Sequence, residues 1–329
     1  MRLVELIRRD GPLTFAAYMQ AALFDPDYGF YTRGPKIGQG GHFTTSAEAH
    51  PAFADAILND AIATWEGLGR PADFRVTEAG PGSGLLAYRV HHDLLAAGVP
   101  HEFVLIELSA GLRETQRAAL GNTMARWVEN PAALEPAPGF LYANELLDAL
   151  PVRLLQWPDE VLVDADAGSR LVETLTPADP ELMALLTESL PAPRRGGRYV
   201  VRPTQVALVT ALAQTLSSGR LVLIDYGGAS ADVHHGRRPP IRTYIGGQQG
   251  GDPLAAPGTQ DLTADVDFGA LTRSATAIGV KVERCITQTA WLAGHKWSVP
   301  PVEERNEADW ALAGLLDERL PFVVWVARR

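Results

Sequence analysis

Residues 76–86 read VTEAGPGSGLL, and this stretch gives the clearest indication of the fold. An apolar run precedes it, Gly80, Gly82 and Gly84 alternate in its middle, and a periodic apolar segment follows. Glycine allows a sharp turn and a close approach of a ligand because it has no Cβ atom. The pattern predicts a strand that turns tightly into a helix over residues 85–97, as in nucleotide-binding α/β folds.

Strands and helices alternate outward from this stretch. Strands are predicted in FRVTEAG (74–80), HEFVLIELS (101–109), ARWVE (125–129), GFLYANELLDALPV (139–152) and GRLVLIDYGG (219–228). Helices are predicted over residues 85–97, 110–120 and 203–217. This alternation indicates an α/β protein with a mostly parallel sheet covered on both faces. VKVERCI (280–286) and FVVWVARR (322–329) form a final pair that we expect to close the sheet with an antiparallel last strand.

The predicted organisation is a single domain with three parts. Residues 1–70 form a helical N-terminal cap, in which residues 1–24 and 47–68 have helical periodicity and an ordered Gly-, Pro- and aromatic-rich loop joins them. Residues 71–150 and 199–329 form the Rossmann-like core. Residues 151–198 interrupt the alternation with two or three antiparallel strands and a Pro-, Arg- and Gly-rich connection, and are predicted to be a β-rich insertion.

Composition restricts the function. The chain has 329 residues and a formal net charge of −10, which argues against general nucleic-acid binding because that requires a basic surface. Cys285 is the single cysteine, which excludes an internal disulfide and a cysteine-based zinc site; no metal site is expected. We expect a cytoplasmic protein without a membrane span or secretory leader. Lysine at only positions 36, 281 and 296 suggests a GC-rich bacterial genome.

Two acids at predicted strand ends narrow the choice of ligand. Glu78 lies two residues before Gly80, where a carboxylate would repel a phosphate group but attract a cation. Glu107 ends the next strand and can accept both ribose hydroxyls of an adenosine. A dinucleotide would satisfy the glycines and Glu107, whereas Glu78 favours S-adenosylmethionine, which carries an ammonium and a sulfonium and no phosphate. A purely structural strand-to-helix turn is the alternative.

Seven stretches resemble the MidA-like (DUF185) family of methyltransferases, in family order and over most of the chain. They are FAAYMQAALFDPDYGFYTRG (15–34), GHFTTSAE (41–48), EAGPGSGLLA (78–87), ELSAGLRETQ (107–116), ANELLDALPVR (143–153), LVLIDYG (221–227) and DPLAAPGTQDLTADVDF (252–268). This family includes a mitochondrial complex I assembly factor that methylates arginine in a protein subunit.

The resemblance implies a class I methyltransferase core that binds S-adenosylmethionine, the expected cofactor. It assigns this binding to five positions: Glu78, Gly80, Gly82, Gly84 and Glu107. One departure is visible, because His42 stands where the family usually has aspartate. We expect the loop to tolerate His42, although a role in closing the site or gripping the substrate is the other possibility.

The segment ANELLDALP contains the candidate catalytic acids. Methyl transfer is an in-line displacement that requires alignment and exclusion of water. For an arginine acceptor, carboxylates that accept guanidinium N–H bonds would orient one nitrogen and favour loss of its proton. We assign Glu145 and Asp148 to this role and Asn144 to a contact with the methionine moiety. The alternative is that one acid caps a helix or pairs with Arg153.

Several further residues are weaker candidates. Thr45 and Ser46 are predicted to hydrogen-bond the cofactor, although Ser and Thr in Gly-rich loops are often turn formers. Four other residues either line the pocket or have an architectural or capping role: Asp225, Tyr226, Asp261 and Asp265.

The predicted function is S-adenosylmethionine-dependent methylation of an arginine side chain in a protein substrate. Two alternatives belong to other classes. One is a non-catalytic assembly factor or binding module on a methyltransferase fold, and the other is a nicotinamide oxidoreductase. The sequence leaves open the acceptor protein, the type of methylation and the oligomeric state.

Overall fold

The structure is a computed structural model that describes residues 2–32, 50–235, 238–246 and 248–329. Its α-helices are α1 (Arg2–Asp10), α2 (Phe15–Phe24), α3 (Pro51–Gly67), α4 (Leu85–Ala96), α5 (Ala110–Leu120), α6 (Pro180–Ser189), α7 (Pro203–Gln214), α8 (Ser230–His235), α9 (Phe268–Ala277), α10 (Gln288–Gly294) and α11 (Glu307–Leu315). Its strands are β1 (Leu13–Thr14), β2 (Arg75–Ala79), β3 (Glu102–Ile106), β4 (Ala125–Val128), β5 (Ala137–Asn144), β6 (Arg153–Gln156), β7 (Asp159–Ala165), β8 (Leu171–Pro177), β9 (Arg198–Val201), β10 (Leu216–Gly228), β11 (Arg242–Ile245), β12 (Gln248–Gln249), β13 (Asp261–Thr263), β14 (Val266–Asp267), β15 (Lys281–Thr287) and β16 (Phe322–Arg328).

The chain divides into two compact units, each assembled from three segments. The first unit takes the described residues of Met1–Pro35, Leu147–Leu208 and Gly227–Leu271. The second unit takes the described residues of Lys36–Leu146, Val209–Tyr226 and Thr272–Arg329. These units do not follow the predicted boundaries at residues 70, 150 and 198. The physical reason is strand pairing: β1 from the N-terminal segment pairs antiparallel with β7 of the predicted insertion, so the two segments share one sheet.

The second unit contains the predicted α/β sheet. Its strands lie in the order β15–β16–β10–β5–β2–β3–β4. Strands β10, β5, β2, β3 and β4 run parallel to one another, and β16 runs antiparallel to both β10 and β15. The prediction of a mostly parallel sheet with an antiparallel last strand is therefore confirmed. Because β2, β5 and β3 are parallel neighbours, their carboxyl ends meet at one edge of the sheet, where α/β folds bind ligands.

The hydrophobic core of the second unit joins the sheet to α3 and α4. Phe53 and Ile57 of α3 pack in one cluster with strand residues Val76, Phe103 and Val222. All five side chains are at most 1% exposed. Burial of such side chains contributes roughly 1.5–3 kcal/mol each and fixes the strands that carry the site.

The first unit is mostly antiparallel. Its larger sheet has the order β1–β7–β6–β9, and β8 also pairs antiparallel with β7. A smaller sheet has the order β12–β11–β13. Leu155 of β6 and Tyr199 and Val201 of β9 pack with Leu182 and Leu186 of α6. The prediction of antiparallel strands after residue 151 agrees with β6, β7 and β8.

Two local predictions need correction. Helical periodicity was expected throughout residues 1–24. Helix α1 instead ends at Asp10, because Gly11 and Pro12 follow. Thr14 is the N-cap of α2, and its Oγ1 accepts a hydrogen bond from the Ala17 amide at 3.1 Å. The connection after β8 was predicted as a Pro-, Arg- and Gly-rich segment, without an assigned helix. It contains α6, which begins at the N-cap Asp179, and whose apolar residues four apart reach the core.

Within the described ranges, every helix is too short or too polar to span a bilayer.

Candidate functional site

The glycine-rich turn after β2 uses a backbone that favours glycine. Gly80, Gly82 and Gly84 have φ angles of 68°, 53° and 84°, in the left-handed region. Gly84 forms the N-cap of α4, and a Cβ atom there would lie 3.1 Å from the Cα of Gln116. A Cβ atom at Gly80 would lie 2.7 Å from Cδ1 of Leu146. The turn therefore packs closely against the loop after β5 and against α5.

Glu78 is the carboxylate at the end of β2, and its side chain is buried at 2% exposure. Tyr142 lies directly opposite on β5 and donates a hydrogen bond from its hydroxyl to Oε2 of Glu78 at 2.8 Å. Burial raises the pKa of Glu78 to about 8, and the Tyr142 hydroxyl offsets part of that rise. A cation arriving at this carboxylate would lower the pKa again and hold the charged form.

Glu107 follows β3 and is oriented by two neutral donors. The Ser109 amide donates to Oε1 at 2.7 Å, and the Gln116 side-chain amide donates to Oε2 at 3.1 Å. Burial raises the pKa of Glu107, although these hydrogen bonds and nearby Arg113 act in the opposite direction. A carboxylate offers about four lone-pair positions, so the two donors leave acceptor capacity for hydroxyl groups.

Asn144 and Glu145 lie where β5 ends. The Asn144 amide nitrogen is 3.2 Å from Oε1 of Glu145, and the Glu145 backbone amide donates to the Ile224 carbonyl at 2.9 Å. Glu145 has a φ of 49°, an uncommon backbone conformation for a residue with a side chain. Such strain costs about 1–3 kcal/mol and concentrates at functional sites. The buried Oδ1 of Asn144 has no hydrogen-bond partner within the described part of the chain.

The remaining predicted site residues have different surroundings. Asp148 belongs to the first unit, where it is buried and its backbone carbonyl accepts a hydrogen bond from the Ala264 amide at 2.9 Å. Its catalytic role stays a prediction. Thr45 and Ser46, and also His42, lie outside the described residues.

Three of the weaker candidates are engaged in local contacts. Asp225 accepts a hydrogen bond from the Tyr226 amide at 2.8 Å. Asp265 forms an ion pair with Arg242. Asp261 accepts from the Tyr31 hydroxyl at 3.0 Å, and burial raises its pKa to about 6. These contacts fit the architectural alternative that the sequence left open.

Two residues of the strand-end site escaped the sequence analysis. Tyr142 was read only as part of a strand, and Gln116 only as part of a helix. The register of β2 against β5 identifies Tyr142, because Glu78 and Tyr142 are direct neighbours. Gln116 has no signal in the sequence beyond its position nine residues after Glu107, since its contacts depend on where α5 lies against the glycine-rich turn.

The second-unit site fits a cationic nucleoside. Glu107 could accept hydrogen bonds from ribose hydroxyls. Glu78 and Oδ1 of Asn144, which has no partner among the described residues, could accept them from positively charged donors. The turn at Gly80–Gly84 brings backbone rather than side chains toward a ligand. A diphosphate would meet the carboxylates of Glu78 and Glu107 at the strand ends, which disfavours a dinucleotide.

The fold defines the class of protein first. The structure is similar to that of a protein from Burkholderia thailandensis bound to S-adenosyl-homocysteine, with a TM-score of 0.88 and 28% identity over 100% of this chain and 91% of the other. A second structure from the same organism, without that ligand in its description, gives a TM-score of 0.85 at 25% identity, over 100% of this chain and 90% of the other. The chain thus has the α/β methyltransferase fold.

The sequence comparisons define the family. Residues 56–286 match the model of Methyltransf_28, a family of S-adenosyl-L-methionine-dependent methyltransferases, and the chain belongs to this family. It is 30% identical over 307 residues to the mitochondrial protein arginine methyltransferase NDUFAF7 of Bos taurus and 28% identical over 305 residues to that of Homo sapiens. Each match covers 82% of this chain and 67% of the relative. The predicted family and its S-adenosylmethionine cofactor are confirmed.

Proposed function

We propose that this methyltransferase transfers a methyl group to the side chain of an arginine in a protein substrate, and that Glu145 is the acid that orients and deprotonates the guanidinium. The strained backbone of Glu145 at the end of β5 carries the proposal. The relatives named protein arginine methyltransferases support the acceptor, and a net charge of −10 suits a cationic substrate.

In methyl transfer, the protein mainly aligns the acceptor nitrogen with the methyl group and removes a proton. When bound, S-adenosylmethionine supplies an electrophilic methyl group on a sulfonium. Glu145 accepts guanidinium N–H bonds and fixes the direction of one nitrogen. As that nitrogen bonds to the methyl carbon, the electrons of the broken carbon–sulfur bond stay on sulfur, and the displaced proton passes to the carboxylate of Glu145. Asn144 lies beside Glu145 and steadies the carboxylate through its amide nitrogen.

The test uses Glu145→Gln, which keeps the size of the side chain but removes the base. With labelled S-adenosylmethionine and a bacterial lysate, wild-type protein should give methylarginine in hydrolysed protein. The variant should lose roughly 100-fold or more of the transfer rate. Its dissociation constant for S-adenosyl-homocysteine, measured by calorimetry, should stay within about threefold of wild type, because Glu145 acts on the acceptor. Glu135→Gln, an exposed acid of the same unit, is the matched control.

The alternatives give different results. Cofactor binding by the wild type without transfer to any protein supports a non-catalytic binding module, and methylation of another residue type contradicts the arginine assignment. Full transfer by Glu145→Gln removes Glu145 from the reaction. Asp148→Asn assayed in the same way tests the second proposed acid separately.

We also propose a bacterial, cytoplasmic protein. The arginine-rich, lysine-poor composition supports a bacterial origin, and the single cysteine suits a reducing compartment such as the cytoplasm. Fractionation of the source cells, followed by detection of the protein in the soluble cytosolic fraction, is the test.

A further inference from the structure

Gln116 is a buried polar side chain that no catalytic or binding role yet explains. It lies on α5 with 0% exposure, although glutamine is mostly exposed in proteins. Burying an amide without hydrogen bonds costs roughly 1–3 kcal/mol, so its partners determine what it does. Among the described residues, Gln116 has three hydrogen-bond partners. Gly82 follows β2, Glu107 follows β3, and Trp127 lies in β4.

The partners fix the orientation of the amide. Trp127 of β4 can only donate, and its Nε1 lies 3.1 Å from the Gln116 oxygen. The Gln116 nitrogen therefore faces two acceptors, the Gly82 carbonyl at 3.0 Å and Oε2 of Glu107 at 3.1 Å. Both amide hydrogens are used. An amide turned the other way would place its oxygen against two acceptors and its hydrogens against the indole N–H.

The geometry links the two halves of the cofactor site. Gly82 belongs to the turn after β2, and Glu107 to the loop after β3. The Gln116 side chain is hydrogen-bonded to both segments. It also lies close to the turn itself, since a Cβ atom on Gly84 would be 3.2 Å from the Cγ of Gln116. The other carboxylate oxygen of Glu107 is held by the Ser109 amide, so Gln116 determines the position of Oε2.

We propose that Gln116 is a positioning residue that sets the Glu107 carboxylate for the ribose hydroxyls of the cofactor and holds it in register with the glycine-rich turn, with Trp127 selecting the orientation of its amide. The proposal rests on the assignment of Glu107 to the ribose. Gln116 donates to Gly82 and Glu107, and its effect on the ligand is proposed to pass through these two residues.

The test measures recognition of the ribose hydroxyls. Calorimetry gives dissociation constants for S-adenosyl-homocysteine and for its 2′-deoxy and 3′-deoxy analogues, and the deoxy-to-parent ratio reports how well Glu107 grips each hydroxyl. Wild type should give a ratio of roughly 10 to 100 for at least one analogue, as expected for a hydrogen bond to a charged group. Gln116→Leu should bring that ratio below about 3.

The matched control is Gln288→Leu. Gln288 is also a buried glutamine of the second unit at 2% exposure, and its amide donates to the Leu315 carbonyl at 3.0 Å. Both leucine variants should lower the midpoint of thermal unfolding. Only Gln116→Leu should change the deoxy-to-parent ratio, which a purely structural role would leave at the wild-type value.

The measured ratios distinguish the role of Gln116 from the assignment of Glu107 to the ribose. A wild-type ratio near 1 overturns the assignment of Glu107 to the ribose and the role of Gln116 with it. A large wild-type ratio that Gln116→Leu retains overturns the role of Gln116 alone. If Gln116→Leu does not fold, Trp127→Phe decides, because it keeps an aromatic side chain and removes the donor to Gln116. A ratio reduced at least threefold supports the proposal, and an unchanged ratio overturns it.

Discussion

Glu78 in the second unit and Asp267 in the first are equally inaccessible carboxylates, at 2% and 3% exposure, but their surroundings differ. Glu78 accepts a hydrogen bond from the neutral Tyr142 hydroxyl, and burial raises the pKa of Glu78 to about 8. Burial would also raise the pKa of Asp267. His234 and Ser230, with further help from a backbone amide and a buried arginine, lower it below its ordinary range instead.

The difference distinguishes architecture from a binding site. Asp267 has its compensating groups within its own unit, so its charge is balanced in the folded chain. Glu78 forms no ion pair with any residue that the structure describes, and its charged form gains most from a cation that comes from outside the chain. This contrast supports a cationic ligand at the end of β2 more directly than the glycine spacing does.

The largest effect on stability should come from replacing Asp267. Asp267→Asn leaves His234 and Arg202 without their carboxylate and should lower the free energy of unfolding by about 3–5 kcal/mol in urea titrations at neutral pH. Because the pKa of Asp267 is lowered on folding, its contribution is present above about pH 4 and is lost as the pH falls further. Ser230→Ala, which removes one donor, should cost about 1 kcal/mol. If Asp267→Asn lowers the free energy of unfolding by less than about 1 kcal/mol, the charge of Asp267 is not balanced by its neighbours and the contrast with Glu78 is wrong.

A second effect, at Glu78, should have the opposite pH dependence. The folded pKa of Glu78 is about 8, above its ordinary value of 4.5, so the native chain holds a proton that the unfolded chain has lost between these values. The free energy of unfolding contributed by Glu78 should therefore fall as the pH rises through this window. Glu78→Gln should flatten the profile and be the more stable protein near pH 8.

Calorimetry completes the Glu78 prediction. The glutamine variant should bind S-adenosylmethionine roughly 10- to 100-fold more weakly, because a hydrogen bond to a charged group contributes about 1.5–3 kcal/mol. Glu135→Gln should match wild type in both measurements. Identical cofactor affinity in Glu78→Gln and wild type would show that no cation reaches this acid.

The smallest effect concerns the turn that presents the site. Gly84→Ala should lower the free energy of unfolding by about 2 kcal/mol, since the new Cβ is strained at a φ of 84° and meets the Gln116 backbone. Gly98→Ala is the matched control, with a φ of 71° and open space around the Cβ position, and should cost about 1 kcal/mol. Urea titrations of both give the difference. Equal losses would mean that Gln116 yields to the new atom.

Prediction from sequence succeeded where the signal was local. The strand, turn and helix at residues 75–96 followed from apolar periodicity and three glycines, and the neighbouring strands followed from the same alternation. It failed at α6, although Asp179 before Pro180 is a helix-start signal that the Pro-, Arg- and Gly-rich composition obscured. It also joined α1 to α2 across Gly11 and Pro12.

The candidate site was predictable in part for the same reason. Glu78, Glu107 and Glu145 were chosen because each follows a recognisable strand, and the structure places each at a strand end of the second unit. Gln116 and Tyr142 could not be chosen, because their importance lies in contacts with residues 9 to 64 positions away.

The α/β alternation, the glycine-rich turn and the two strand-end glutamates could be predicted from the chain's residues, since these depend on short-range periodicity and on the chemistry of single residues. The neutral donors that hold those glutamates, and the assembly of the first unit from three separated segments, became visible only in the folded chain. Such features depend on strand register and helix packing, which arise when the whole chain buries its apolar surface together.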